Sequence, residues 1–327
     1  MKQLFTMLML FTISTLIAQE EAKKKKSFDL SASVDAYYRT NLTAPNDVNQ
    51  ISPGTSFADL SGFSLGMANI IASYEGEKVG FVADLVFGLR GEAASNTELN
   101  QIYVCLNVSE TVTLTMGKFN TFLGYEVIAS ADNFNYSTSY LFSNGPFSHT
   151  GLKVDFQLSN DYSLMLGIMN QTDVTEFNPD GSYALGAQLG YADQFLNILY
   201  DDAGLGFEID YTGGFNISDP FFLGLNAAYA DNDGEGFSGV ALYPQLSTSE
   251  SFSIGLRGEY FEARSNNTDD DPSVFAVTLT GSYTVDDLII KPELRIDSSS
   301  DTVYINNNLN PTSSLASFVL AAIYTFN

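Results

Sequence analysis

The chain has few of the features that hold small proteins together or carry chemistry. Its one cysteine, Cys105, excludes an internal disulfide, so the fold has no covalent staple. Its one histidine, His149, stands beside Ser148, but neighbours along a strand point to opposite faces and are badly placed to exchange a proton. No serine, histidine and acid set falls on one face, and neither a metal-ligand spacing nor a phosphate-binding loop is found. The sequence thus points away from an enzyme and implies no cofactor. The run Asp231-Asn232-Asp233-Gly234-Glu235-Gly236 begins like a calcium loop, yet Leu242 stands at the twelfth position, where such a loop needs glutamate, so no metal site is assigned. Lys and Arg number 14 against 39 Asp and Glu, and the formal net charge of −25 makes nucleic acid a poor partner. Tryptophan is missing, and no long apolar run follows residue 18.

What is abundant is strand and turn material: 25 Phe, 18 Tyr and 26 Gly, with charged residues at only 16%. The first residues differ. Residues 1–18 carry Lys2, an apolar core over 4–17 and the small residue Ala18, the pattern of a secretory signal peptide cleaved after Ala18. The run is short for a membrane helix, which needs about twenty residues. Residues 19–27 follow as a charged tail that reads as a solvated periplasmic segment. Residues 28–327 remain as one domain.

Within that domain, segment after segment alternates apolar and polar side chains with period two. Phe28, Leu30, Ala32, Val34, Ala36 and Tyr38 share one face, while Asp29, Ser31, Ser33, Asp35, Tyr37 and Arg39 share the other. About sixteen such strands are predicted, with fourteen or eighteen as alternatives. A soluble sandwich would alternate in the same way, so the connections have to discriminate. Those at 75–77, 109–110, 159–161, 193 and 285–286 are short, whereas those at 41–61, 171–182, 263–272 and 298–314 are long. Short turns at one end and long loops at the other are what a transmembrane barrel requires. Two connections depart from the rule: an inward one at 213–219 is long, and an outward one at 201–203 is short. The last strand, 317–327, alternates Phe318, Leu320, Ala322, Tyr324 and Phe326 and resembles the recognition strand that barrel-assembly machinery reads. Pairing it with the first strand would leave no edge exposed to hydrocarbon. The predicted fold class is all-β, a closed antiparallel transmembrane β-barrel in the outer membrane.

One connection stands out. About thirty residues separate the strands predicted at 112–119 and 149–158, too many for a turn. They are also too aromatic for a solvated coil, with Phe122, Tyr125, Phe134, Tyr136, Tyr140, Phe142 and Phe147 needing a wall to pack on. The string Gly117-Lys118, Gly124-Tyr125-Glu126, Asn133, Tyr136-Ser137, Tyr140, Pro146-Phe147 and His149-Thr150-Gly151 resembles the signature of the OmpL-like β-barrel porins (type 2) of Gram-negative outer membranes. Leu256-Arg257-Gly258-Glu259-Tyr260 is a second, weaker match. The resemblance implies a pore for passive diffusion of ions and small hydrophilic solutes. It also implies that residues 119–148 fold inward as a constriction loop, as in general diffusion porins.

A Lys or Arg facing mid-bilayer lipid costs about 2–4 kcal/mol in a barrel, so charged residues on the polar parity are expected to face the bore. The expected pore-lining and constriction set is Arg39, Asp84, Arg90, Lys118, Glu126, Asp132, His149, Lys153, Asp155, Arg257, Glu259, Lys291, Glu293 and Arg295. The remaining acids gather in outward loops: Asp173, Glu176 and Asp180; Asp201 and Asp202; Asp231, Asp233 and Glu235; and Asp269, Asp270 and Asp271. This rim either faces anionic surface glycolipid through divalent cations or only keeps the chain soluble in transit. It favours cation accumulation at the mouth at low salt, against basic residues inside. Two rival readings stay open, a plugged structural or adhesive barrel and, less favoured, an outer-membrane hydrolase. Assembly into a homo-oligomer is also open.

Overall fold

A strand with one greasy and one wet face leaves its sheet no edge that can remain unpaired in hydrocarbon. The computed structural model, which describes residues 27–95, 97–178, 181–266 and 271–326, meets this by closure. Its strands are β1 (Ser27–Asn41), β2 (Gly62–Glu75), β3 (Val79–Phe87), β4 (Leu99–Ser109), β5 (Val112–Asn120), β6 (Ser148–Gln157), β7 (Tyr162–Met169), β8 (Ala184–Tyr191) and β9 (Gln194–Asp201). They continue with β10 (Gly206–Ser218), β11 (Phe221–Asn232), β12 (Glu235–Ser247), β13 (Phe252–Arg264), β14 (Ser273–Val285), β15 (Leu288–Ser299), β16 (Tyr304–Ile305), β17 (Pro311–Thr312) and β18 (Ser314–Phe326). Among the described residues β16 and β17 form a small separate ribbon, and the other 16 strands form one closed antiparallel barrel. The seam joins β1 to β18, with Ala32 opposite Phe326 and Asn41 opposite Ser317. The signal peptide expected at 1–18, the tail up to residue 26, and Asp180, Asp269, Asp270 and Asn327 lie outside the described residues.

Parity runs as the alternation predicts. On β1, Leu30 and Val34 are exposed on the outer face, while Asp35, Tyr37, Arg39 and Asn41 are buried inside. On β15, Leu294 and Ile296 point out, and Lys291, Glu293, Arg295 and Asp297 are buried inside. The connections at one end are uniformly short, at 76–78, 110–111, 158–161, 192–193, 219–220, 248–251 and 286–287. The other end carries the long ones, including 42–61, 121–147, 170–183 and 300–313.

Two expectations are corrected. The long inward connection at 213–219 does not exist, because β10 continues through Gly213 and Gly214 to Ser218 and turns at 219–220. The glycine pair is strand with the side chains removed, and Gly214 leaves space for the Phe222 ring. The strand predicted to run from 78 to 90 stops at Phe87. There Gly88, with φ of 95°, turns the chain aside, and helix α1 (Leu89–Ser95) follows, so Arg90 sits on a helix and not on the wall.

Candidate constriction site

Residues 121–147 run into the barrel; the loop expected at 119–148 is shorter at both ends because residues 119–120 belong to β5 and residue 148 to β6. They are partly held by their own contacts. Asn133 Oδ1 accepts the Val127 N–H at 2.8 Å and its Nδ2 donates back to Val127 O at 2.6 Å. Ser139 caps the short helix α2 (Tyr140–Asn144), its Oγ accepting from Phe142 N at 3.0 Å, and the Gly145 N–H closes the other end on Leu141 O at 3.1 Å.

A buried loop needs partners for its backbone polar groups, and the wall supplies them by sign. Wall carboxylates take loop N–H groups. Glu259 accepts from Tyr140 N at 3.0 Å and Leu141 N at 2.9 Å, Glu293 from Tyr136 N at 2.9 Å and from the Ser137 hydroxyl, and Asp210 from Gly124 N at 3.0 Å. Cations facing the bore take loop carbonyls. Arg257 donates to Ser137 O at 2.6 Å and Thr138 O at 3.1 Å, and Arg295 to Thr138 O at 2.8 Å. Lys291 donates to Ser130 O at 3.0 Å and to Asn133 O, while Arg90 donates to Ile128 O at 2.8 Å and Tyr136 O at 3.2 Å. The one carboxylate the loop itself commits is Glu126, which meets Arg257 at 2.6 Å and accepts Ser139 N at 2.7 Å. Tyr136 closes the far side, its hydroxyl donating to Asp35 at 2.5 Å. Burial against the Asp35 carboxylate pushes that phenol well above the ordinary tyrosine range, so it stays a donor.

The aromatics find their wall as well. Phe122, Tyr125 and Phe134 lie over Gly186, Gly224 and Gly255, and a Cβ added at any of the three glycines would collide with the ring above it. Tyr125 also stacks on Tyr243, with ring centroids 4.3 Å apart.

Of the 14 residues expected to line the pore, the structure buries Arg39, Asp84, Arg90, Lys118, Glu126, His149, Arg257, Glu259, Lys291, Glu293 and Arg295. Most of these face the loop and are consumed in holding it. Three are not loop contacts of that kind. Lys118 donates instead to Ser95 O at 3.2 Å and Leu99 O at 2.9 Å, and Asp84 is bound by Asn69, Asn100 and Gln101. Arg39 reaches Asn41 at 2.8 Å and the Asp59 carbonyl at 3.3 Å. His149, expected to present charge at the narrowest section, is buried between the rings of Phe119 and Phe122, with Nε2 3.0 Å from Thr121 Oγ1. Asp132 is exposed and borders a 390 Å³ cavity with Lys291, and Lys153 pairs with Asp155 at 3.0 Å, half-exposed on β6.

Asp35, Asp210 and the three seat glycines stand outside the expected set. The two acids carried the interior parity that marked the others; nothing in the sequence separates a glycine that seats a ring from one that turns a strand. The acidic rim also shrinks. Asp173 is half-buried and accepts Phe147 N at 2.9 Å and Ser148 N at 2.7 Å, and Asp201 is buried and accepts Thr172 N at 2.7 Å. Asp231 pairs with Arg264 at 3.5 Å.

The profile of the family described as "Putative beta-barrel porin-2, OmpL-like" matches residues 27–326. The chain belongs to this family. Solved barrels share its fold at low sequence identity. The outer membrane channel DcaP of Acinetobacter baumannii is 15% identical with a TM-score of 0.61, covering 93% of this chain and 99% of its own. An anion-selective porin from Comamonas acidovorans is 11% identical with a TM-score of 0.61, over 92% of this chain and 100% of its own. Pseudomonas putida OprB is 10% identical with a TM-score of 0.62, over 91% and 94%. No curated protein matches the chain by sequence. In this OmpL-like porin, then, the inward loop is fixed by matched charge on a barrel wall whose architecture recurs among outer-membrane channels.

Proposed function

We infer that the chain is an outer-membrane porin through which ions and small hydrophilic solutes diffuse passively, with residues 121–147 as the constriction. The observation that carries this reading is the docking of that loop inside the barrel, with wall carboxylates on its N–H groups and cations facing the bore on its carbonyls. Selectivity then comes from width and from the field of the charges left in contact with water, not from a binding pocket. The acidic groups remaining at the mouth favour cations at low salt. They also suit divalent bridging to surface glycolipid, which a chelator would reverse. Residues 1–18 act as the export signal, residues 317–327 as the segment the assembly machinery recognises, and the porin fold is compatible with a homo-oligomer.

The test is single-channel recording of purified protein in planar bilayers. Stepwise ohmic conductance is expected, and removing residues 121–142 is expected to raise it; an unchanged conductance removes the constriction role. A plugged structural barrel is the second reading, favoured by the burial of eleven of the charged or titratable residues expected to line the bore. It is chosen if the intact chain passes no current while the loop-deleted chain does. Neither reading is enzymatic, and a lipase assay is expected to be blank with and without His149→Ala.

A further inference from the structure

β2 and β3 separate before β2 ends. Their ladder runs from Glu75 opposite Gly80 to Ala68 opposite Phe87 and stops, while β2 continues to Gly62 on its pairing with β1. Residues 62–67 therefore have helix α1 beside them in place of a strand. The approach is close at Gly88, where a Cβ would stand 2.8 Å from the Gly66 carbonyl oxygen. A break in a lipid-facing ladder is tolerated only where another element covers it, and here the cover is a helix of 7 residues.

Cavities lie on both sides of this break. On the outer face a groove of 880 Å³ is lined mainly by apolar residues, among them Phe63, Ile290 and Leu320. Inside, beneath loop 42–61, a cavity of 200 Å³ is bordered by Phe57, Asp59, Leu60, Arg90 and Tyr136. Tyr37, Leu65 and Leu89 line both. The inner cavity holds a donor without an acceptor. Arg90 is stacked 4.3 Å from the Phe57 ring centroid and 5.5 Å from that of Tyr136. Its Nε and Nη1 bond loop carbonyls, but its Nη2 is buried with no hydrogen-bond partner among the described residues. A buried guanidinium nitrogen with no acceptor is costly and is relieved by an anion. Asp59, the carboxylate bordering the same cavity, is only partly offset by Arg39 and Arg295, and its Oδ1 is likewise buried with no hydrogen-bond partner among the described residues, so the anion's head is placed on the Arg90 side of the cavity.

We propose that this break is a lateral binding site for a long-chain carboxylate amphiphile, its head on Arg90 Nη2 and its alkyl chain passing between Leu65 and Leu89 to the lipid face. A water-soluble anion would gain nothing from leucines on both flanks of the passage. A neutral hydrocarbon would leave Nη2 without an acceptor. The outer groove of 880 Å³ has room for the chain, since ligand sites run to about 300–1,000 Å³, and the 200 Å³ inner cavity for the head. The site needs the barrel to sit in a bilayer but is independent of whether its bore conducts.

The chain lacks tryptophan, so Phe57→Trp places a single fluorescent reporter inside the inner cavity. With this full-length variant in phospholipid nanodiscs, 9,10-dibromostearate is expected to quench the reporter saturably. Methyl 9,10-dibromostearate is expected to be at least about tenfold weaker, and Arg90→Met in the same background is expected to erase that difference. Brominated phosphatidylcholine is expected to leave the signal unquenched. Equal quenching by acid and ester, no quenching by the acid, or equal quenching by the brominated phospholipid overturns the proposal. Should the Arg90→Met barrel fail to fold, the acid and ester comparison decides alone.

Discussion

Arg257 Nη1 lies 2.6 Å from Glu126 Oε1, and both side chains are sealed from solvent between the barrel wall and the inward loop. One residue belongs to β13 and the other to the loop, so this pair joins the two bodies whose relative position would set the bore. Removing one partner of a buried pair typically costs about 3–5 kcal/mol, because the other charge stays buried. Arg257→Met is therefore expected to lower the unfolding midpoint clearly and to raise conductance by loosening the loop. Adding Glu126→Gln to that variant is expected to recover part of the stability but not the constriction. Thermal unfolding and bilayer recording on the single and double variants check both.

The loop's rings are seated by absence of side chain. A valine at Gly224 or Gly255 would drive into Tyr125 or Phe134, and overpacking of this kind costs about 1–3 kcal/mol. Because the strand backbone is fixed on both sides by its ladders, the loop is the part that yields. Gly255→Val is expected to make residues 121–147 cleavable by protease while the barrel stays intact, and Gly281→Val, whose nearest neighbours are Phe252 and Pro292 on the wall, is expected not to.

The barrel was legible because its constraint repeats: each strand carried the same parity, and closure follows from having no edge to spare. The inward path of loop 121–147 was legible from its aromatics and from the family resemblance. The pairings were not. Glu259 receives the start of helix α2, residues more than a hundred positions away in the chain, and no local pattern encodes such a meeting. Helix α1 was missed for a different reason. Val79 to Phe87 alternates cleanly, and Leu89 and Arg90 keep the alternation going past Gly88, where the strand stops.

Asp59, in loop 42–61, supplies a pH dependence. Burial lifts its carboxyl to about 6, only partly offset by Arg39 and Arg295. A carboxyl whose folded value is raised stabilises the folded state fully below the unfolded value, near 4, and that contribution is lost as pH rises through 6. Loop 42–61 is thus expected to be held more firmly at pH 4 than at pH 7. Hydrogen exchange of residues 42–61 at the two pH values checks this. Asp59→Asn is expected to flatten the difference, and an undiminished difference in that variant would assign it to other groups.

Lys153 and Asp155, paired at 3.0 Å on β6 with side chains 25% and 40% exposed, are wall charges still in contact with water. An accessible pair contributes at most about 1 kcal/mol to stability, so either member is expected to be replaceable without unfolding the barrel. Their effect on permeant ions should be larger. Ions crossing the barrel beside β6 meet these charges in a confined space, where water screens them less well than on an open surface. Lys153→Gln leaves the carboxylate uncompensated and is expected to move the reversal potential across a potassium chloride gradient towards cation selectivity. Asp155→Asn is expected to move it the opposite way. If both variants conduct with the reversal potential of the parent protein, the ion path does not run along β6 and must be sought on the side of the 390 Å³ cavity bordered by Asp132 and Lys291.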